Sequence, residues 1–392
     1  MSASVFITDG HWRKSLAATR ALGREGIHVT VGETTRLATA AFSKYCRRAV
    51  IYPSPLLQPQ AFVTHLYKLL SQHAYEMLIA MEDQTLDLIT RNRDQFARLT
   101  YLPMGTNTQL RTARRKDKVL KLAASLGIPI PQTWHIDALS QIDTLKATLP
   151  YPVVVKPRVG SGAVGIAYPR NAHELAVQYR QVHRHFPYPL IQEKIPTEGA
   201  GYGASFLMDE NSTVKAAFVH KRLREYPVTG GASTLRESVR DDGLRDMGEA
   251  LLKALGWFGV AMVEFKIDPR DNTPKLMEIN PRFWGSLALA IAAGVNFPYL
   301  LLRMARGEKF KPVERYTLGT QCRWLLPGDL LHFIRNPERA RLQPSFFKFR
   351  GPDLAYDIMS LRDPLPVLAR GLTPLTFLYD PDMQTRLQMR KT

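Results

Sequence analysis

The chain has 392 residues and a formal net charge of +18. That length accommodates two or three domains with a proper core, and the two cysteines, Cys46 and Cys322, exclude a disulfide framework or a cysteine-rich metal site. The charge admits nucleic acid, an acidic membrane surface or anionic small molecules as partners.

The opening "MSASVFITDG" has no basic segment ahead of its apolar residues, so it does not read as a signal peptide. "SVFITD" reads as a strand, "HWRKSLAATRALGREG" as a helix stopped by Gly26, and "IHVTVGE" as a second strand. "EMLIAM", ending at Met81, is another buried strand, and "EDQTLDLITRNRDQF" is the helix after it. Strands alternating with helices predict a parallel sheet covered on both faces. The first turn holds Gly10 alone and no G-x-G-x-x-G, so a dinucleotide site is not expected there. Residues 1–110 read as a structural, Rossmann-like domain.

A helix is predicted over 111–126, ended by Gly127 and the turn "IPIPQT". Its start, "RTARRKDKVLK", is the densest basic stretch of the chain. No aromatics interleave with it and no zinc-finger or helix-turn-helix signature accompanies it, so nucleic acid is not an expected partner. From "YPVVVKP" onward the texture changes to strands, glycines and hairpins. "DDGLRDMGEALLKALG", residues 241–256, is a helix closed by a glycine, and two more helices follow, one ending near Gly294 and one over 298–307. The nearly apolar run 287–302 is broken by Gly294, Asn296 and Pro298 and is too short to span a membrane, which makes a cytoplasmic protein the expectation. Residues 311–392 carry many prolines and aromatics without usable periodicity.

Three stretches carry the chemistry. In "VVVKPRVGSGAVGIAYP", Gly160, Gly162 and Gly165 match G-x-G-x-x-G, but "IAYP" reads as a strand, which predicts a hairpin loop instead of a helix. Such a loop, with Ser161 inside it, exposes N–H groups that can cover a polyphosphate. Lys156 ends an apolar run, where a phosphate partner would offset the cost of a buried ammonium. In "PLIQEKIP", the segment Glu193, Lys194, Ile195 suits a linker between two lobes, against which an adenine could lie. Finally, "VAMVEFKID" and "KLMEINPRFWGS" read as the two strands of a hairpin. Alternation puts Val263, Phe265, Ile267, Met277 and Ile279 on its apolar face and Glu264, Glu278 and Asn280 on the other. Like charges facing across strands need a cation between them, and three hard oxygen donors suit Mg²⁺.

The order Lys118, "VVVKP" with its glycine loop, "IQEKI", "VEFKID" and "MEINPRFWGS" resembles the ATP-grasp superfamily, particularly its carboxylate–amine ligases, over about residues 1–310. The resemblance implies a fold of the α/β and α+β class. It consists of a Rossmann-like domain over 1–110, a small ATP-grasp lobe with a glycine-rich lid over 111–195, a large lobe over 196–310 and a C-terminal extension over 311–392. It implies that Lys118 and Lys156 contact ATP phosphates, that the loop from Gly160 to Gly165 closes over them, and that Glu193 and the backbone to Ile195 hold the adenine. Glu264, Glu278 and Asn280 would bind two Mg²⁺ ions, with Mn²⁺ as an alternative, and Arg282 would steady the transferred phosphoryl group or the acyl phosphate. The implied activity joins a small-molecule carboxylate to an amine through an acyl phosphate, releasing ADP and phosphate.

Substrate contacts are expected from "HKRLREYPVTGGASTLRES", with Arg222 first and Arg224 and Arg236 as further carboxylate partners. Two departures from the superfamily's pattern matter. The segment after the hinge offers only Glu198 for the ribose, and neither a biotinyl-lysine "MKM" motif nor a cysteine-based glutamine-hydrolysing domain is present, which argues against carboxylase and ammonia-channelling versions. Other readings of the chain are a carboxylate–thiol ligase, a regulatory ATP-binding module, or a membrane-surface protein. The last would use Arg339, Arg341, Lys348 and Arg350 around Phe346, Phe347 and Phe349. A homodimer is a further expectation.

Overall fold

The computed structural model of the chain describes residues 4–160, 164–228 and 230–389. The N-terminal elements are β1 (Ser4–Ile7), α1 (Arg13–Arg24), β2 (His28–Glu33), β3 (Cys46–Ile51), α2 (Pro59–Gln72), β4 (Met77–Ile79), α3 (Asp83–Arg91) and α4 (Arg93–Ala97). Their four strands are parallel and ordered β3-β2-β1-β4. Val5, Phe6 and Ile7 are fully buried, as a central parallel strand requires when both of its faces are covered. The strand order reverses between β1 and β4, so the loops after these two strands frame a crevice at their carboxyl ends. Trp12 and Glu82 lie on those loops, and Asp83 begins α3 just after the second.

The helix predicted over 111–126 is two helices, α5 (Asn107–Ala113) and α6 (Lys116–Ser125). Thr106 and Gln109 cap α5 reciprocally. The break at Arg115 comes from a distant strand-like contact. Arg115 forms a bridge with Val159, and the Lys116 N–H donates to the carbonyl of Arg158 at 2.8 Å. Next come β5 (Thr133–Trp134), α7 (Ser140–Leu145), β6 (Val153–Lys156), α8 (Ala172–His185) and β7 (Leu190–Glu193). The strands form an antiparallel sheet, β5-β7-β6, with a separate core that includes Ile136, Val153, Val155, Leu175 and Ile191.

The large sheet is built from β8 (Gly201–Met208), β9 (Val214–Tyr226), β10 (Ala232–Ser238), β11 (Gly259–Asp268) and β12 (Thr273–Asn280). α9 (Asp242–Ala254), capped by Asp241, leads into β11. α10 (Leu287–Ala292) and α11 (Phe297–Ala305) follow β12 and pack against α1, which ties this sheet to the N-terminal one. The expected hairpin of β11 and β12 is present.

Residues 311–389 contribute strands and helices to this architecture. β13 (Gln321–Arg323) pairs with β10, α12 (Leu330–Arg335) follows, and β14 (Leu354–Tyr356) closes a seven-stranded sheet ordered β12-β11-β8-β9-β10-β13-β14. α13 (Leu365–Tyr379) and α14 (Pro381–Met389) return to the N-terminal sheet, where Arg20 holds Asp363 through its Nε at 2.8 Å. Among the described residues no helix is long and apolar enough to cross a membrane.

Candidate active site

Glu264 and Glu278 stand directly opposite each other across the β11–β12 hairpin, and Asn280 lies opposite Met262. Asn280 Nδ2 donates to Glu264 Oε1 at 2.8 Å, so the three expected oxygen donors share one face. The apolar face differs from the expectation. A β-bulge after Glu264 pairs Phe265 with Leu276 and leaves Met277 unpaired. Leu276 is therefore fully buried beside Val263, Phe265 and Ile279, while Met277 is half-buried. The bulge keeps both Leu276 and Glu278 correctly aimed within a strand whose simple alternation would have put them together.

Two cations hold the opposed carboxylates. Arg222 NH2 lies 2.5 Å from Glu264 Oε2, and Lys116 Nζ lies 3.0 Å from Glu278 Oε2. Arg222 sits on β9, so it must cross β8 to reach β11. Gly201 makes that crossing available, since a Cβ there would lie 3.1 Å from Arg222 Cδ. Burial raises the Glu264 carboxyl and Glu278 raises it further, against the pull of Arg222. Burial would also raise Glu278, but Lys116 and Lys156 leave it below the ordinary carboxylate range. The two acids thus sit in one cluster with opposite proton affinities. Their donor set, two carboxylates and an amide, fits Mg²⁺, whose charge would do what Arg222 and Lys116 do here.

The first lysine of the expected site shifts by two positions. Lys118 is exposed on α6, whereas Lys116 points into the cluster and also donates to the Gly160 carbonyl at 2.6 Å. The break at Arg115 causes the difference, because α6 starts afresh at Lys116 with its first turn against the loop at 158–160. Lys156 ends β6 where expected and is 5% exposed. Burial pulls its ammonium down to about 7, and the neighbouring Lys116 acts in the same direction, against Glu278.

The glycine-rich loop is partly within view. Gly160 has φ +145° and Gly165 has φ +70°, and a Cβ on Gly165 would lie 2.4 Å from the Phe186 ring. Ser161 and Gly162 lie outside the described residues. The predicted strand at "IAYP" reduces to one bridge, Ala167 with Val155, with a further bond from the Val153 N–H to the Pro169 carbonyl. Pro169 stops that pairing from lengthening, since it has no N–H to return.

At the hinge, the Glu193 side chain is already spoken for. It accepts from the Gln132 N–H at 2.9 Å, from Lys275 at 2.8 Å and from Arg270 at 2.8 Å. Its carboxylate therefore ties β7 to the far end of the β11–β12 hairpin. Lys194 lies 5.7 Å from the Tyr168 ring centroid, and Ile195 is buried, with its carbonyl accepting from Lys266 at 3.4 Å.

Arg282 joins this cluster to the N-terminal sheet. Its NH2 donates to Asp83 Oδ2 at 3.0 Å, at the start of α3. Beside it the buried Lys14 lies 2.6 Å from Glu82 Oε1, and burial and Arg282 pull that lysine down to about 8. Sequence reading missed Lys14, Glu82, Asp83 and Lys116, because their roles depend on two sheets meeting. Between those sheets lies a cavity of about 540 Å³, lined among others by Trp12, Glu82, Arg114, Lys116, Glu278 and Asn280. Of the expected substrate arginines only Arg222 faces this cluster. Arg224 is buried against Asp329 at 2.8 Å and Arg236 against Asp357, so both bind the C-terminal strands in place. Asp329 just precedes α12 and Asp357 just follows β14, so both partners lie far along the chain, which left both arginines looking available.

The chain is similar to several known proteins. Residues 208–325 match the family described as "ATP-grasp in the biosynthetic pathway with Ter operon". An uncharacterized protein, y4rH, of Sinorhizobium fredii is 26% identical over 243 residues, which are 57% of this chain and 48% of that protein. The match thus spans about half the length of that curated relative. A D-alanine–D-alanine ligase of Gloeobacter violaceus is 27% identical over 223 residues, 52% of this chain and 72% of that protein. The biotin carboxylase domain dimer of a Hydrogenobacter thermophilus 2-oxoglutarate carboxylase, solved with MgADP, ADP and bicarbonate, superposes with a TM-score of 0.69. It does so at 14% identity, covering 82% of this chain and 73% of that one.

Proposed function

We propose that this chain is an ATP-grasp enzyme, an ADP-forming ligase that activates a carboxylate as an acyl phosphate and joins it to an amine. The observation that carries the reading is the cross-strand pair Glu264–Glu278 with Asn280, ringed by Lys116, Lys156, Arg222 and Arg282 at one cavity. A cluster of this kind suits phosphoryl transfer between two anions, where positioning and charge neutralisation do most of the catalysis. The similarity to a D-alanine–D-alanine ligase supports the amine as acceptor.

In this reading, residues 1–110 form a Rossmann-like domain, 111–195 the small lobe, 196–310 the large lobe and 311–392 its C-terminal completion. Lys116 takes the place expected of Lys118 and, with Lys156, holds the nucleotide phosphates. The loop that includes Gly160 and Gly165 closes over them, and backbone from Glu193 to Ile195 holds the adenine beside the Ile195 side chain. Glu264, Glu278 and Asn280 would hold one or two Mg²⁺ ions, or Mn²⁺, which when bound neutralise charge on the β- and γ-phosphates. Arg222, held between Glu264 and Glu225, orients the incoming carboxylate. Its oxygen attacks the γ-phosphorus, ADP leaves, and Arg282 stabilises the oxygens of the acyl phosphate. The amine nitrogen then attacks the acyl carbon and phosphate departs. The dimeric biotin carboxylase domain makes a homodimer part of the proposal. Incubating the purified protein with Mg-ATP and pooled carboxylic acids and amines tests it. Substrate-dependent ADP release is expected, and release of AMP and pyrophosphate instead would overturn it.

A further inference from the structure

α13 presents the opposite faces from an ordinary surface helix. Its buried side carries Pro366, Ala369, Thr373 and Thr376, and the two threonine hydroxyls donate back to the carbonyls of Ala369 and Thr373. Its outer side carries Leu365, Leu368, Leu372, Leu375, Leu378 and Tyr379, which are 46% to 77% exposed, and Leu361 just before it is fully exposed. With Gly371 and Pro374 these positions cover roughly half of the helix circumference. A contiguous apolar face of that kind marks a contact surface.

We propose that α13 is an interfacial helix that lays this face into the surface of an anionic lipid bilayer. The charges around it favour that occupant. Its neighbouring carboxylates are spent inward: Asp363 on Arg20 and Ser43, Asp380 on Thr34, and Asp382 on Ser54. The cations nearby stay outside. Arg362 precedes the first turn, and the Lys44 N–H donates to Asp363 at 2.9 Å, which brings exposed Lys44 to the same end. The Thr35 hydroxyl lies 2.8 Å from that of Tyr379, which brings exposed Arg36 to the other end. An apolar face flanked by outward cations suits anionic headgroups over acyl chains.

A second copy of the chain is the competing occupant, since Leu365, Leu368, Leu372, Leu375 and Tyr379 recur at the three- and four-residue steps of a helix-pairing seam. Pairing through this face would bring Arg362, Lys44 and Arg36 near the cations at the ends of the other copy's helix, which anionic headgroups would instead neutralise. With 15 residues, α13 lies on a bilayer and does not cross it. This inference stands independently of the ligase reading.

Flotation of the full chain with vesicles of phosphatidylcholine alone, or mixed equally with phosphatidylglycerol, tests it. Flotation is expected with the anionic vesicles and is expected to weaken in high salt. The triple variant Leu368→Gln, Leu372→Gln, Leu375→Gln should lower partitioning at least ~10-fold with unchanged thermal melting, since these side chains are exposed. Lys44→Gln with Arg362→Gln should lower it several-fold and reduce the salt dependence. Absence of flotation by the unaltered chain overturns the proposal, as does flotation that the triple variant retains. A dimer in light scattering that the triple variant dissociates, without flotation, overturns it in favour of self-association.

Discussion

The cavity and the C-terminal strands both gather arginines around carboxylates, and they expose those charges differently. Under β13 and β14, Arg224 meets Asp329 and Arg236 meets Asp357, with exposures at or near zero on both sides. At the cavity, Lys116, Lys156, Arg222 and Arg282 meet Glu264, Glu278, Glu225 and Asp83, and Glu278 keeps a quarter of its side chain exposed at 24%. Closed pairs of the first kind are spent on holding the chain together, because breaking one leaves a buried charge without compensation. An open cluster at a cavity keeps its charged groups within reach of a ligand. Residue type alone does not separate these cases; exposure to the cavity does.

Asp357→Ala probes the closed side with the largest expected effect. It leaves Arg236 and Arg13 facing each other in the interior, and stability should fall by about 3–5 kcal/mol in denaturant unfolding. Unaltered stability would erase the distinction drawn here. On the open side, Glu278→Gln should cost at least ~100-fold in turnover, the scale of losing a charge-stabilising group in a phosphoryl site, while leaving thermal melting close to that of the unaltered protein. Lys116→Met and Lys118→Met then sharpen the assignment within one helix turn. The first should weaken nucleotide binding by roughly tenfold, as loss of one phosphate contact does, and the second should leave it within about twofold. The reverse order would restore Lys118.

The smallest effect concerns protons. A lysine lowered to about 7 by burial is mostly neutral at pH 8, and an arriving polyphosphate favours its charged form. Mg-ATP binding should therefore take up close to one proton at pH 8 and progressively less as pH falls through 7 and below. Calorimetry in buffers of different ionisation enthalpy reads this directly, and Lys156→Met should abolish the uptake.

Much of the hairpin was legible because alternation along β11 and β12 is a local property. Glu264, Glu278 and Asn280 fall on one face as the spacing predicts. The bulge at Met277 was not legible, since either register satisfies the apolar pattern of "KLMEIN". Likewise "RTARRKDKVLK" carries no helix breaker, and only contact with residues 158–159 splits it at Arg115 and turns Lys116 inward. The C-terminal segment hid for a different reason. α13 contains Pro366, Gly371 and Pro374 and buries its threonines, so its periodicity runs against the rule that leucines mark the inner face.

The central claim is that the face bearing Glu264, Glu278 and Asn280 serves transfer of the γ-phosphoryl group to a carboxylate. Nucleotide chromatography combined with hydroxylamine trapping, run with Mg-ATP and pooled carboxylic acids, tests it most directly. The unaltered protein should give ADP and hydroxamate in equal amounts, and Glu278→Gln should give almost none of either. AMP in place of ADP, or undiminished hydroxamate from a folded Glu278→Gln protein, would contradict it.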